Sequence, residues 1–179
     1  RASATGAAHD PSEAFAVPTR RAHFHAPRGS SWHAAFSILD AASDHGDRCN
    51  LLVSGPSGCG KTEGACEWAA RAGRPIHIVD CTHWCEPSDA FGAVRAVNGI
   101  VLDELSRAHP RCLNPMLALM DNRASATIEC VLDSDGEAIK IAVASNCVII
   151  ATANLGAAFS GAGKVDLAIT NRMHAHARV

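Results

Sequence analysis

Apolar positions along the chain fall into two alternating kinds of segment. Near-continuous apolar runs at residues 50–54, 76–80, 100–102 and 148–153 each have the length and bias of a buried strand. Between them lie stretches of helical period. Residues 32–42 place Trp32, Ala35, Phe36 and Leu39 on one face, and Asp44-His45-Gly46-Asp47 ends that helix. Residues 63–72 form a second helix-compatible stretch, stopped by Gly73 and Pro75. Residues 114–121 read as a third helix, with Pro115 tolerated in its first turn. The runs 127–132 and 138–143 flank Asp133-Ser134-Asp135-Gly136, a hairpin signal, and residues 174–179 read as a last strand. Buried strands alternating with helices predict an α/β fold whose parallel sheet is covered on both faces. Residues 1–30, rich in Ala, Pro, His and Arg without periodicity, read as an extended or disordered arm before a single core over 31–179.

Composition changes this picture only a little. A chain of 179 residues can bury roughly 70% of its unfolded surface as one domain. A net charge of −2 gives no global basic field for nucleic acid; a local patch is compatible with it, but nothing indicates one. No apolar run approaches the roughly 18 residues of a membrane span. The start, Arg1-Ala2-Ser3-Ala4, lacks the apolar core of a signal peptide and also lacks an initiator methionine. The eight cysteines mostly take positions where a small apolar residue would serve, which favours reduced thiols and a cytoplasmic location. Cys81, His83 and Cys85 could begin a zinc site. No second ligand pair follows at finger-like spacing, with only His109 and Cys112 near, so a strand end and loop is the preferred reading.

The strongest chemistry is an octet, G-P-S-G-C-G-K-T: Gly55, Pro56, Ser57, Gly58, Cys59, Gly60, Lys61 and Thr62. It follows the apolar run Leu51-Leu52-Val53 and precedes a helix, the strand–loop–helix context of a phosphate-binding loop. The glycines let backbone N–H groups turn inward around an anion, and the next helix points its positive end there. Lys61 is expected to reach the β- and γ-phosphates, and Thr62 to offer its hydroxyl to Mg²⁺. A glycine-rich turn that binds nothing is the competing reading; agreement of pattern and context argues against it. Downstream, Val101-Leu102-Asp103-Glu104 sets two acids at the end of a buried strand. Asp103 is expected to hold Mg²⁺ through water, and Glu104 to take a proton from an attacking water. Acids also commonly end strands, but the upstream loop tips the balance.

From Asp103 the chain runs D-E-L-S-R-A-H-P-R-C-L-N-P-M-L-A-L-M-D-N-R, then the hairpin, then V-I-I-A-T-A-N-L-G and A-I-T-N-R-M. This resembles the AAA+ ATPase superfamily, most of all the branch with MoxR-type, CbbQ/NirQ-type and dynein-related modules. The resemblance covers residues 51–178. It implies a P-loop core with a five-stranded parallel sheet in the order 5-1-4-3-2, helices on both faces and a β-hairpin inserted before the fourth strand. The chain stops where a helical lid would begin. Asn154 matches the polar sensor that orients the hydrolytic water. Arg172 matches the arginine finger that reaches a neighbouring subunit's site and has no partner in its own chain, and Arg107 matches an arginine that can face a subunit interface. ATP and Mg²⁺ are the implied cofactors. A homo-oligomeric, hexameric ring that remodels or activates a protein substrate, often with a von Willebrand factor A-type partner, is the implied function. A nucleic-acid motor and an ATP-dependent structural ring subunit of a larger assembly are the alternatives. Ala153-Asn154-Leu155-Gly156 lacks the longer Asn-Thr-Ala-Asp-like signature of a GTP-using restriction branch, which favours ATP. Four departures stand out. The segment 89–100 is short where relatives carry a helix and pore loop. No lid arginine can be assigned. Cys59 occupies a position where Thr or Val is common, and Met173 one where Phe is frequent.

Overall fold

The strand Cys49–Ser54 (β1) is buried at all six positions. Such a segment can only lie inside a sheet covered on both faces, and its backbone needs partners on both edges. The computed structural model describes residues 16–85, 97–121, 125–132, 136–154 and 167–179. In it β1 lies between Ala138–Ala153 (β5) and Ala175–Arg178 (β6), parallel to both. Val97–Asp103 (β3) pairs with the other edge of β5, and His77–Asp80 (β2) with β3, again in parallel. The sheet order is β2-β3-β5-β1-β6. With the parallel strands numbered one to five along the chain, this is the expected 5-1-4-3-2. Ser125–Leu132 (β4) pairs antiparallel with the first half of β5 and is the other arm of the hairpin.

Alternation along the strands divides the core in two. Leu51, Val53, Val101, Val148 and Ile150 face Ser31–His45 (α1) and Lys61–Ala72 (α2), where Trp32, Phe36, Leu39 and Trp68 fill the layer. Leu52, Ile100, Leu102, Ile149 and Ala151 face Pro110–Met120 (α3), which contributes Cys112, Leu113, Met116 and Met120. α1 buries the four residues that its period singles out, and runs to His45 because Gly46, at φ 71°, supplies the left-handed cap. Gly64 is the tight contact between α1 and α2: a Cβ there would collide with the Trp32 ring.

Two elements differ from expectation. α3 begins at Pro110, one turn before residue 114, because His109 caps it and Pro110 takes the first helical position. His109 Nδ1 accepts from the Arg111 N–H at 3.3 Å, and Pro115 falls in the second turn instead of the first. The second difference concerns β5. The hairpin strand and the sensor strand, expected as separate runs, form one strand of 16 residues. Residues 138–142 pair with β4, Val143 and 148–151 with β3, and 148–153 with β1. Arg48 secures the junction: Nη2 donates to Val143 O at 2.9 Å, Nε to Ala144 O at 3.1 Å and Nη1 to Asp121 O at 3.0 Å. The hairpin turn at 133–135 and most of the short segment before β3 lie outside the described residues. Among the described residues no helix is long and apolar enough to cross a membrane.

Candidate functional site

Every core strand of a parallel sheet ends on the same side, so the residues that follow β1, β3 and β5 meet there. β1 runs into the loop of Gly55 to Gly60, in which Gly58 and Gly60 hold φ of 77° and 80°. Gly60 caps α2, and the helix starts at Lys61. Lys61 is 6% exposed. Its ammonium donates to Pro56 O at 2.7 Å, to Gly55 O at 3.3 Å and to Asn154 Oδ1 at 2.7 Å. β3 delivers Asp103 and Glu104, and β5 delivers Thr152 and Asn154.

The five groups form one continuous network. Asn154, 1% exposed, donates from Nδ2 to both Glu104 oxygens at 2.7 and 2.6 Å while its Oδ1 accepts from Lys61. Ammonium on one side and carboxylate on the other fix which way the amide points. Its main-chain N–H donates to Ser106 Oγ at 3.3 Å. Glu104 has φ 56° and is the one described non-glycine residue in the left-handed region, a conformation that costs about 1–3 kcal/mol. Thr152, fully buried, holds it there: its Oγ1 accepts the Glu104 N–H at 2.9 Å and donates to Asp103 Oδ1 at 2.6 Å. Thr62 Oγ1 donates to the same Asp103 oxygen at 2.7 Å. A hydroxyl and a carboxylate in contact form a hard oxygen donor set, with the chemistry that Mg²⁺ selects.

Beside the loop opens a cleft of about 780 Å³, bounded by Gly58, Cys59, Gly60 and Glu63 on one wall and residues 20–25 on the other. That second wall carries no motif of its own. Glu67, buried to 1% of its side chain, anchors it. Its oxygens accept from Arg20 Nε at 2.9 Å, the Arg21 N–H at 2.6 Å and Arg71 Nε at 2.7 Å, and Arg21 Nε pairs with Glu63 at 2.8 Å. Burial alone would raise the Glu67 pKa, but hydrogen bonds from the Arg21 backbone, Arg71 and Arg20 carry it below the ordinary carboxylate value. Phe24 then meets Trp32 edge to face, with ring centroids 5.5 Å apart. The readable signal is modest: one aromatic in an otherwise polar segment, and a Glu67–Arg71 pair at helical spacing.

Both arginines have partners in their own chain, which the expectation for Arg172 did not include. Arg107 Nε pairs with Glu104 of its own chain at 3.2 Å. Arg172, just past Leu167–Thr170 (α4), also has an intrachain partner: Nε meets Asp121 Oδ1 at 2.6 Å, and Nη1 donates to Ala168 O at 3.0 Å. Its main chain is bound to Asn50, near the start of β1, whereas the phosphate loop follows the end of that strand. At about 3.3 Å per residue the two lie roughly 17 Å apart along the sheet, so Arg172 is not brought to its own chain's loop.

The seven described cysteines are free thiols. Burial raises the thiol pKa of Cys49, Cys66 and Cys81, and that of Cys147 to about 11, so these act as small apolar residues. Cys81 and His83 lie in a 3₁₀ turn after β2, and among the described residues no three His, Cys, Asp or Glu side chains converge as a metal site.

The chain matches the AAA domain family, dynein-related subfamily, over residues 50–173. It is 29% identical over 130 residues to a ClpA homolog protein of Fuscovulum blasticum, covering 61% of this chain and 15% of that protein. It is 34% identical over 71 residues to protein NorQ of Paracoccus denitrificans, covering 40% of this chain and 24% of that one. Two solved structures share the fold: the Thermotoga maritima RuvB Holliday junction branch migration motor, with TM-score 0.55, 17% identity and coverage of 83% and 44%, and the Saccharomyces cerevisiae Hsp104–ADP complex, with TM-score 0.57, 20% identity and coverage of 84% and 33%. The chain thus spans less than a quarter of each curated relative it matches. It belongs to the dynein-related subfamily of AAA domains and is an ATPase core with a nucleotide-binding P-loop.

Proposed function

We propose that this AAA domain hydrolyses ATP as a subunit of a hexameric ring and transmits the resulting conformational change to a partner protein. The observation that carries the reading is the Asn154 amide, which ties the cation of the phosphate loop to the carboxylate after β3. Lys61 and the loop N–H groups bind the terminal phosphates, and the residue 20–25 wall of the cleft receives the base. Glu104 accepts the proton of the attacking water, and Asn154 orients that water. Thr62 and Asp103 would hold Mg²⁺, which would supply positive charge against the negative charge that builds up during phosphoryl transfer. Arg172 completes the site of the adjoining subunit, which its distance from its own loop supports. The resemblance to MoxR- and CbbQ/NirQ-type modules supports a role in activating another protein. A protein substrate or a von Willebrand factor A-type partner, and a cytoplasmic setting, extend that reading, with residues 1–30 as an arm and 31–179 as the working core.

Glu104→Gln tests the chemistry. The amide keeps the shape but cannot take the proton, so the variant should bind ATP and assemble while turning over about 100-fold more slowly or worse. Unhydrolysed ATP retained by the purified variant is the expected result; wild-type turnover would remove Glu104 from the mechanism.

A further inference from the structure

The Arg172 guanidinium is held at two of its three nitrogens. Nε is bound to Asp121 and Nη1 to Ala168 O, while among the described residues no acceptor meets Nη2. The side chain remains 31% exposed. A planar guanidinium fixed at Nε and Nη1 cannot rotate in its plane, so its Nη2 N–H groups point in a set direction. The residue that fixes it has its own main chain tied down. The Asp121 N–H donates to Leu117 O at 3.0 Å at the end of α3, and its carbonyl accepts from Arg48. Asn50, 2% exposed, donates from one amide nitrogen to both Met120 O and Arg172 O at 2.9 Å, tying together the main chains that carry the two partners.

We propose that Asp121 is the positioning residue for Arg172: it aims the guanidinium's Nη2 out of the subunit, toward a phosphate held by the neighbouring chain. This rests on the reading of Arg172 as a group acting in trans. An arginine held ready in this way loses less rotamer freedom on meeting its phosphate, so more of the interaction is realised in the transition state. The same Asp121 is bound through its carbonyl to Arg48, which also holds Val143 and Ala144 at the base of the hairpin. The arm that serves the neighbour and the hairpin base therefore share one anchor.

Mixed assemblies test this on the finger side alone. A Lys61→Ala chain keeps its finger and an Arg172→Ala chain keeps its loop, so mixing them should recover part of the ATPase activity. With Asp121→Ala added to the Lys61→Ala chain, recovery should fall about 10- to 100-fold, the cost of a misplaced reacting group. Added instead to the Arg172→Ala chain, the same substitution should leave recovery where it was, because that chain has no finger to position. Asp121→Asn keeps an oxygen opposite Nε and should restore part of the loss; it takes the place of Asp121→Ala in both mixtures if the alanine variant does not fold. Equal recovery in both arrangements, or an equal fall in both, overturns the proposal. No recovery in the first mixture despite demonstrated co-assembly refutes the trans reading of Arg172, and the proposal with it.

Discussion

Replacing Thr152 by Val should damage both stability and turnover, by an amount that the network allows to be worked out. The two side chains are nearly isosteric, and Thr152 is fully buried, so packing changes little and the effect isolates one hydroxyl. That hydroxyl makes two bonds. Its donation to the Asp103 carboxylate is charge-assisted and is worth about 1.5–3 kcal/mol. Its acceptance of the Glu104 N–H satisfies a donor on a backbone held at φ 56°; leaving that donor orphaned costs about 1–3 kcal/mol. Relief from burying the hydroxyl offsets part, which leaves a net loss of about 2–4 kcal/mol. For a domain of this size that lowers the melting temperature by roughly 4–16 °C. Turnover should fall further than stability alone explains, since Glu104 loses the contact that fixes its backbone next to Asn154. Thr152→Ser retains both bonds and should recover most of the activity, which a purely steric role would not give. Thermal denaturation and steady-state ATPase assays of the two variants supply the readout. A Thr152→Val protein that melts within a degree of wild type and turns over normally would refute the assignment.

Other expectations follow from the same contacts. Lys61→Ala should abolish binding of a fluorescent ATP analogue, because the loop loses its one buried cation; wild-type affinity would overturn the P-loop assignment. Gly64→Ala should destabilise the fold by at least about 1–3 kcal/mol through the collision with the Trp32 ring, measurable by urea denaturation, and an unchanged midpoint would show that α1 shifts freely on α2. Glu67 has a folded pKa below its ordinary 4.5, so its stabilisation is complete above that pH and is lost as pH falls through the lowered value. Glu67→Gln should accordingly melt earlier than wild type at neutral pH and converge with it in strong acid; a difference that does not change with pH would exclude the linkage.

How much of this was legible in the chain depends on whether the signal was local. The strand–loop–helix context of Gly55 to Thr62, and acids at the end of an apolar strand, are local patterns with few alternative structures, and both appear where they were expected. The helix boundary at Pro110 was missed because two prolines compete for the first turn, and His109 decides between them by a cap that propensity does not weigh. The unbroken β5 was missed for a different reason. Ala144, Ser145 and Asn146 read as a break between apolar runs, and the contacts that bridge it are distant: Val97 of β3 pairs with Val143, and Arg48, 95 and 96 residues away in sequence, donates to the Val143 and Ala144 carbonyls. The placement of Arg172 follows the same rule. Its motif was readable, but its partner lies 51 residues upstream, at the end of a helix whose last residue is set by tertiary contacts. Motifs identify the groups that meet phosphate because that chemistry constrains neighbouring residues. The groups that aim them, Thr152 and Asp121, are chosen by the fold, as is Glu67, which anchors the facing wall of the cleft; their roles can be recognised only after the chain has brought distant carbonyls, hydroxyls and carboxylates together.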